Sequence, residues 1–173
     1  MSRSKDKIQT GWEGRFYEDF EVGAVYRSRF GHTVTEADNA LFTQLTHNTN
    51  PLHFDQHYAE QTKWGKILVN STFTLALITG MSVPDVSENA MANLGWEEVK
   101  LPNPVFIGDT LYCETEVLSK RESSSYPEAG IVRVCSRGIN QDGAVVIDLV
   151  RAIMVYKRDN APKKELFPEI KGN

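Results

Sequence analysis

The sequence of 173 residues is poor in cysteine: it has only Cys113 and Cys135, and it contains no CxxC pair. This excludes a disulfide framework. Because both cysteines lie in segments that alternate like strands, we expect buried free thiols in a reducing compartment. The sequence also lacks the run of about 20 apolar residues that a membrane-spanning helix needs, and its first residues lack the apolar core of a signal peptide. We therefore predict a cytoplasmic protein with no membrane contact.

An excess of positive charge is also missing, since 19 basic residues stand against 23 acidic ones and give a net charge of −4. The chain has no overall basic field that would attract nucleic acid, so we predict no nucleic-acid partner. A local basic pocket for an anionic small molecule stays compatible with this charge. The content of 40% hydrophobic residues is ordinary for a soluble globular protein, and the length suits a single core.

The polarity of the sequence divides the chain into three parts, and no internal repeat is visible. Residues 1–14 are polar and predict a flexible N-terminal arm. Residues 15–158 predict a single folded domain. Residues 159–173 are polar, contain two prolines and predict a C-terminal tail.

Helical patterns occupy the first half of the body. Thr35 followed by acidic residues predicts a helix start, and apolar residues then follow at helical spacing: Ala37, Leu41, Phe42 and Leu45. This helix should end near Thr46, because Asn50-Pro51 disfavours helical backbone. A short helix or turn is expected at 55–65. The apolar segment 71–83 predicts a second helix that is buried nearly all round.

Strand patterns occupy 26–34, 93–101, 110–123, 131–140 and 144–158. Asp142-Gly143 lies between two β-branched runs and indicates a hairpin. The last three strands should therefore form an antiparallel meander. A sheet packed on one apolar helix is an α+β arrangement. Its remaining face and edges need cover, which favours a homodimer or a higher homo-oligomer.

The stretch HNTNPLHFD, residues 47–55, concentrates hydrogen-bonding side chains around Pro51. The proline fixes the backbone, so the polar side chains should sit on a defined turn. His53 is the best acid/base candidate, because an imidazole exchanges protons near neutral pH. Asn48 and Asn50 can orient a water molecule or the imidazole, but an amide is not a base. The alternative is that these residues only cap turns.

A second candidate element is Asn70-Ser71, at the start of the apolar helix. We expect Ser71 to cap this helix, whose first N–H groups lack partners and suit a developing oxyanion. The alternative is an ordinary capped helix.

A metal site made of His47, His53, His57 and Asp55 is disfavoured, because the zincin glutamate position is absent. We predict no metal and no redox cofactor.

The order Asn48-Thr49-Asn50-Pro51-Leu52-His53, followed by PVFIGDTL at 104–111, resembles the MaoC-like family of hotdog-fold acyl-CoA hydratases and dehydratases, the (R)-specific enoyl-CoA hydratase type. The resemblance covers residues 16–157. It implies an antiparallel sheet wrapped around a long central helix, a dimer, and reversible addition of water to a 2-enoyl-CoA thioester. CoA is then part of the substrate.

The resemblance assigns roles residue by residue. His53 takes the catalytic histidine position, and Asn50 takes the position of the asparagine that braces the loop. Ser71 falls where a glycine N–H would hold the thioester oxygen, and Asn70 replaces the histidine before it. The family's catalytic aspartate is Asn48 here, so His53 must carry the proton transfers and Asn48 would position the water, unless another carboxylate such as Asp55 substitutes.

Residues 68–96 also resemble single-domain relatives of mesaconyl-CoA and itaconyl-CoA hydratases, which implies a short branched or dicarboxylic acyl group. CoA phosphates would meet Lys63, Lys66 and Arg121, although each of these also fits a plain solvated charge. Two other functions stay open. One is a non-catalytic acyl-CoA-binding protein, which the missing aspartate favours. The other is a hotdog thioesterase, which usually needs a carboxylate near the same helix start.

Overall fold

The computed structural model describes residues 9, 11–164 and 168 of the chain. This part of the chain contains three α-helices, α1 (Glu36–Leu45), α2 (Gln56–Glu60) and α3 (Ser71–Met81), and six strands, β1 (Val25–Arg27), β2 (His32–Thr33), β3 (Ala90–Lys100), β4 (Thr110–Glu122), β5 (Ala129–Asn140) and β6 (Val145–Tyr156). Within the described ranges, none of the helices is both long enough and apolar enough to cross a membrane.

All six strands form one antiparallel sheet in the order β1-β4-β5-β6-β3, with β2 pairing β4 on the same side as β1. The predicted meander of the last three strands is confirmed. Its second turn has Gly143 at a positive φ of 81°, a conformation that glycine adopts without a steric penalty. β3 pairs only with β6 and is therefore an edge of the sheet in the described chain.

The strand predicted at 26–34 is interrupted, which corrects the expectation of one continuous element. Ser28 still donates its N–H to the Cys113 carbonyl, at 2.8 Å. The chain then leaves β4 before pairing again at His32. Gly31 passes so close to β4 that a Cβ there would lie 2.7 Å from side-chain atoms of Thr110 and Tyr112.

The central helix α3 packs on the sheet through one face only. Ile78 is fully buried, in a cluster that includes Ile147 and Leu149 of β6. On the opposite face, Thr72, Ala76 and Gly80 are exposed. The expectation that this helix is buried nearly all round is therefore wrong for the single chain, because one sheet covers only one side of a helix.

A second apolar cluster lies beneath the N-terminal segment, where Tyr17 and Phe20 pack against residues of β4, β5 and β6. In the described part of the predicted arm, Trp12 donates its Nε1–H to the Pro84 carbonyl, at 2.8 Å. Residues 1–8 and 10 of the arm, and 165–167 and 169–173 of the tail, lie outside the described residues, so the division into arm, domain and tail stays a prediction.

The two cysteines differ in environment, although both are free. Cys113 is buried in the core, as expected. Cys135 is only half-buried, because the alternation of β5 turns it to the other face of the sheet, where its thiol donates to Asp148 at 3.0 Å. Partial burial, together with this carboxylate, raises the pKa of the Cys135 thiol to about 11.

Candidate active site

The motif loop begins with the C-terminal cap of α1. Asn48 donates its N–H to the Thr43 carbonyl at 3.0 Å, and His47 donates its N–H to the Gln44 carbonyl at 3.1 Å. These two bonds form a Schellman motif, which needs left-handed backbone at the residue after the cap. His47 has that conformation, with a φ of 55°. The cap therefore places Asn48 directly at the end of α1.

The two asparagines of the loop then accept hydrogen bonds from the backbone of the loop itself. Asn48 Oδ1 accepts the N–H of Asn50 at 3.1 Å, and Asn50 Oδ1 accepts the N–H of Leu52 at 3.1 Å. Pro51 opens a single 3-10 turn, Pro51–His53, and its fixed φ suits that first position. Both amide oxygens are thus bonded within the loop. Neither amide NH₂ group has an acceptor among the residues that the structure describes, so both can serve as donors.

The imidazole of His53 is fixed by the segment that leads into α3. Its Nδ1 lies 2.8 Å from the carbonyl oxygen of Leu68. A carbonyl oxygen can only accept a hydrogen bond, so Nδ1 carries the proton, and in the neutral ring Nε2 has the free lone pair. Leu68 also donates its N–H to the Leu52 carbonyl, at 3.2 Å. His53 is therefore held as one tautomer whose Nε2 can act as a base.

The start of α3 differs from the expectation, because its cap is Asn70 rather than Ser71. Asn70 Oδ1 accepts the N–H of Thr72 at 3.0 Å and the Thr72 hydroxyl at 2.7 Å. Ser71 is the first helical residue and is exposed. Within the described residues its N–H has no acceptor, as expected for the first turn of a helix. This is the N–H that the predicted oxyanion role requires.

Two residues missing from the sequence-based site join these parts: Asn39 and Thr43 of α1, both buried. Asn39 donates its Nδ2–H to the His53 carbonyl at 2.7 Å and accepts the N–H of Asn70 at 2.9 Å. Thr43 Oγ1 accepts from Asn70 Nδ2 at 3.3 Å. The site is therefore built on α1, to which both His53 and the start of α3 are hydrogen-bonded.

Most of the apolar residues that mark α1 in the sequence are not the residues that this helix buries. Leu41 and Leu45 are 62% and 70% exposed, whereas Asn39 and Thr43 are fully buried. The sequence feature that could have predicted this buried face is the spacing of the two polar residues, which are four apart and so share one face of a helix. The backbone groups at His53 and Asn70 need partners, and the polar face supplies them.

The second motif positions the segment before α3. In the turn 106–109, Asp109 Oδ2 accepts the N–H of Phe106 at 2.8 Å, and Gly108 has a positive φ of 95°. The neighbouring Val105 carbonyl accepts the N–H of Val69 at 2.9 Å. This turn thus anchors the chain between Leu68, which fixes His53, and the cap of α3.

Lys63 and Lys66 lie beside this segment, each over an aromatic ring. The Lys63 Nζ is 4.5 Å from the Trp64 ring centre, and the Lys66 Nζ is 4.0 Å from that of Phe106. The two rings meet edge to face at 6.2 Å.

Arg121 is not part of this group of lysines and aromatic rings. From residue 110 to residue 121, β4 runs 11 steps of about 3.3 Å, roughly 36 Å of strand. The structure therefore separates Arg121 from the two lysines within one chain.

The other titratable side chains near the loop either cap a helix or face solvent. Asp55 caps α2, its Oδ1 accepting the N–H of Tyr58 at 3.0 Å. His57 is exposed on α2. The first turn of α3 contains no acidic residue. Within the residues that the structure describes, no three histidine, cysteine, aspartate or glutamate side chains are grouped so that they could hold a metal ion.

Comparison with known sequences gives one matching domain family and related enzymes. Residues 19–135 match the model of the MaoC like domain. The chain is 36% identical over 162 residues to mesaconyl-CoA hydratase of Cereibacter sphaeroides, covering 92% of this chain and 47% of that protein. It is 35% identical over 153 residues to beta-methylmalyl-CoA dehydratase of Chloroflexus aurantiacus, covering 88% and 43%. The chain therefore spans about half the length of these curated relatives.

Solved structures confirm the predicted hotdog fold. A MaoC-like dehydratase from Rhodospirillum rubrum superposes with a TM-score of 0.74 at 31% identity, covering 84% of this chain and 99% of that one. A Mycobacterium tuberculosis protein with a double hotdog fold superposes with a TM-score of 0.77 at 22% identity, covering 91% of this chain and 47% of that one. With the family model matching well over half of its length, the chain belongs to the MaoC-like domain family.

Proposed function

We propose that the chain is an acyl-CoA hydratase or dehydratase that adds water reversibly to a 2-enoyl-CoA thioester. The observation that carries this proposal is the bond from His53 Nδ1 to the Leu68 carbonyl. It leaves Nε2 as the basic nitrogen and ties the ring to the segment that opens α3. A base and an unpartnered helix N–H therefore belong to one hydrogen-bonded unit, which is what thioester hydration requires.

The reaction then uses His53 for both proton transfers. Nε2 takes a proton from water while the water oxygen bonds to C3 of the enoyl group. The electron pair of the double bond moves toward the thioester oxygen, where the N–H of Ser71 stabilises the negative charge. The resulting imidazolium returns its proton to C2. Dehydration follows the same steps in reverse.

Asn48 has a positioning role in this scheme. Its amide cannot accept a proton, and its Oδ1 already accepts the N–H of Asn50. Its Nδ2 can donate to the water oxygen and so orient the attack. The substitution of an amide for the family's aspartate also favours a second candidate function, a protein that binds acyl-CoA without turning it over. Thioester hydrolysis has less support, because the first turn of α3 lacks a carboxylate.

The proposed substrate is a short branched or dicarboxylic enoyl-CoA. Support comes from the two relatives named as acting on mesaconyl-CoA and beta-methylmalyl-CoA. The exposed Lys63 and Lys66 would meet the CoA phosphates. The cytosolic location stays a prediction.

One assay distinguishes the three functions. The protein is mixed with mesaconyl-CoA or crotonyl-CoA, and the absorbance of the conjugated thioester is followed together with free thiol. Loss of absorbance without thiol release is expected. Thiol release would instead indicate a thioesterase. Binding of the thioester without loss of absorbance and without thiol release would indicate a non-catalytic protein. His53→Ala should lower hydration by at least about 100-fold. His57→Ala, an exposed histidine on α2, should leave it unchanged, and equal activity of the two variants would contradict the mechanism.

The proposal includes a homodimer formed through the β3 edge. Leu94, Trp96 and Val99 of this edge strand are between 43% and 48% exposed, and exposed apolar side chains on a free edge favour pairing with another strand. A second copy could also take the place of the half of the double hotdog protein that the match does not cover. Sedimentation velocity should show a dimer that Trp96→Glu dissociates. Tyr126→Glu, an equally exposed aromatic in the β4–β5 loop, should leave it intact. A monomeric parent protein would overturn this part.

A further inference from the structure

We propose that Asn39 is a positioning residue that sets the distance between the His53 imidazole and the first turn of α3. This inference rests on the proposed hydratase function. Asn39 lies on α1, is 1% exposed, and uses both ends of its amide. Its Nδ2 donates to the His53 carbonyl at 2.7 Å, and its Oδ1 accepts the N–H of Asn70 at 2.9 Å.

The bonds through Leu68 do not fix the site by themselves. His53 Nδ1 and the Leu52 carbonyl both bond to Leu68, so these two contacts share one residue. Bonds to α1 oppose a rotation of the loop relative to the start of α3 about that residue; besides those of Asn39, Asn70 Nδ2 donates to Thr43 Oγ1 at 3.3 Å. Asn39 bonds to His53 on one side and to Asn70 on the other, which closes a ring of contacts. The peptide after Asn70 carries the N–H of Ser71, so this ring includes the proposed oxyanion donor.

An asparagine is suited to this position because it combines one donor and one acceptor in a rigid planar group. Both of its partners are backbone groups, and a buried backbone group without a partner is costly. Aspartate would keep the acceptor for the Asn70 N–H but would place an oxygen against the His53 carbonyl. Asn39→Asp therefore removes the bond to the His53 carbonyl and keeps the bond from the Asn70 N–H, while the side chain keeps its size and shape.

The test compares Asn39→Asp with Asn89→Asp. Asn89 is also a buried asparagine, and its Nδ2 donates to the carbonyls of Glu13 and Arg15 at 3.0 and 3.1 Å, beyond the C-terminal end of α3. Both variants lose bonds from an amide to backbone carbonyls. Only Asn39→Asp should lower kcat, by about 10- to 100-fold, because small displacements of a catalytic group are costly in rate. KM should change by less than about threefold, since no contact with the substrate is removed.

Nitrogen NMR of the histidine rings supplies a readout that does not depend on turnover. Asn39→Asp should shift the Nδ1 and Nε2 signals of His53, and Asn89→Asp should not. Unchanged kcat and unchanged His53 signals in Asn39→Asp would overturn the inference, as would equal losses of kcat in both variants. If Asn39→Asp does not fold, the scalar coupling across the hydrogen bond from Asn39 Nδ2 to the His53 carbonyl is measured in the parent protein, and its absence overturns the inference.

The two proposals fail in different ways. A parent protein without hydratase activity in which Asn39→Asp still shifts the His53 signals would refute the function and leave the positioning role standing. An active parent protein in which Asn39→Asp keeps full kcat would refute the positioning role alone.

Discussion

The Nδ1 of His53 lies 2.8 Å from the carbonyl oxygen of Leu68, so a side chain of the motif loop is bonded to the segment that leads into the central helix. Leu68 also forms an antiparallel bridge with Phe106, which belongs to the second motif. Three distant segments, the loop at 47–55, the chain before α3 and the turn at 106–109, therefore meet around this bond. A change in any of them is expected to move the imidazole.

The first prediction concerns Asn48→Asp, which restores the carboxylate of the family motif. The variant keeps an oxygen to accept the N–H of Asn50 and adds a group that can take a proton. The carboxylate loses the amide donor, but it can orient the water by accepting its O–H. We therefore expect the variant to be at least as active as the parent protein, with unchanged stability. Asn48→Ala should lose about 1 kcal/mol of unfolding free energy, because the same bond is removed. Urea unfolding and the absorbance assay measure both effects.

Asn50→Asp is the control for added charge, since it places a carboxylate two residues further along the same loop and keeps the acceptor for the Leu52 N–H. It should give no gain in rate. A loss of activity in Asn48→Asp greater than about tenfold would show that the amide N–H is needed to orient the water.

Several features could be predicted from the sequence because they depend on local chemistry. Pro51 and its neighbouring asparagines determine a turn in which both asparagine oxygens bond to backbone N–H groups two residues ahead. Asp142-Gly143 specifies the hairpin between β5 and β6. The alternation of the last three strands specifies their pairing, since each strand is joined to the next by a short turn.

Other features depend on which surface a neighbouring segment supplies, and a single sequence does not contain that information. Periodicity identifies two faces of α1 but not which face packs, so the buried positions of Asn39 and Thr43 were missed. Asn70, the cap of α3, donates its N–H to the amide oxygen of Asn39 in α1, a contact between distant segments that no local pattern specifies. The separation of Arg121 from Lys66 follows from the length of β4.

The second prediction concerns pH and the start of α1, the helix that carries Asn39. Hydrogen bonds from the hydroxyl and N–H of Thr35, with a smaller contribution from His32, lower the pKa of the Asp38 carboxyl. A lowered pKa stabilises the folded state above the ordinary aspartate pKa of about 3.9, and this stabilisation is lost as pH falls through the folded-state value. Stability should therefore decrease below about pH 4.

Asp38→Asn removes this titration and weakens the capping box. It should cost about 1 kcal/mol at pH 7 and make stability less dependent on pH in the acid range. Urea unfolding at a series of pH values from neutral to acidic measures both effects. If the variant and the parent protein lost the same stability as the pH fell into the acid range, the assignment to Asp38 would be contradicted.

The third prediction concerns the contact between α3 and the sheet at Gly138. A Cβ at this position would lie 2.7 Å from Ile147 Cγ2 and 2.7 Å from Ile78 Cγ1. Both isoleucines are fully buried. Gly138→Ala should therefore cost about 1–3 kcal/mol, as overpacking of a core does.

Gly80→Ala is the matched control, because a Cβ on this α3 residue meets nothing within 4 Å. It should stabilise the chain by up to about 1 kcal/mol through its helix propensity. Chemical unfolding followed by circular dichroism measures both variants. Equal stability of Gly138→Ala and the parent protein would show that α3 packs less closely than described.

The fourth prediction tests the basic and aromatic group formed by Lys63, Trp64, Lys66 and Phe106. Within the described residues, neither lysine forms a salt bridge with a carboxylate, so both charges are available to the CoA phosphates. Lys63→Ala and Lys66→Ala should each raise KM about 2- to 5-fold, the cost of losing one exposed ion pair. Because neither lysine contacts the reacting atoms, kcat should change by less than about twofold.

Lys120→Ala is the control, since its Nζ also lies over an aromatic ring, 5.1 Å from the centre of Tyr17, but near the far end of β4. Its KM should equal that of the parent protein. The effects of Lys63 and Lys66 should also shrink as ionic strength rises, because salt screens exposed charges. A KM that is independent of both lysines at low salt would place the CoA phosphates elsewhere on the chain or on a second copy.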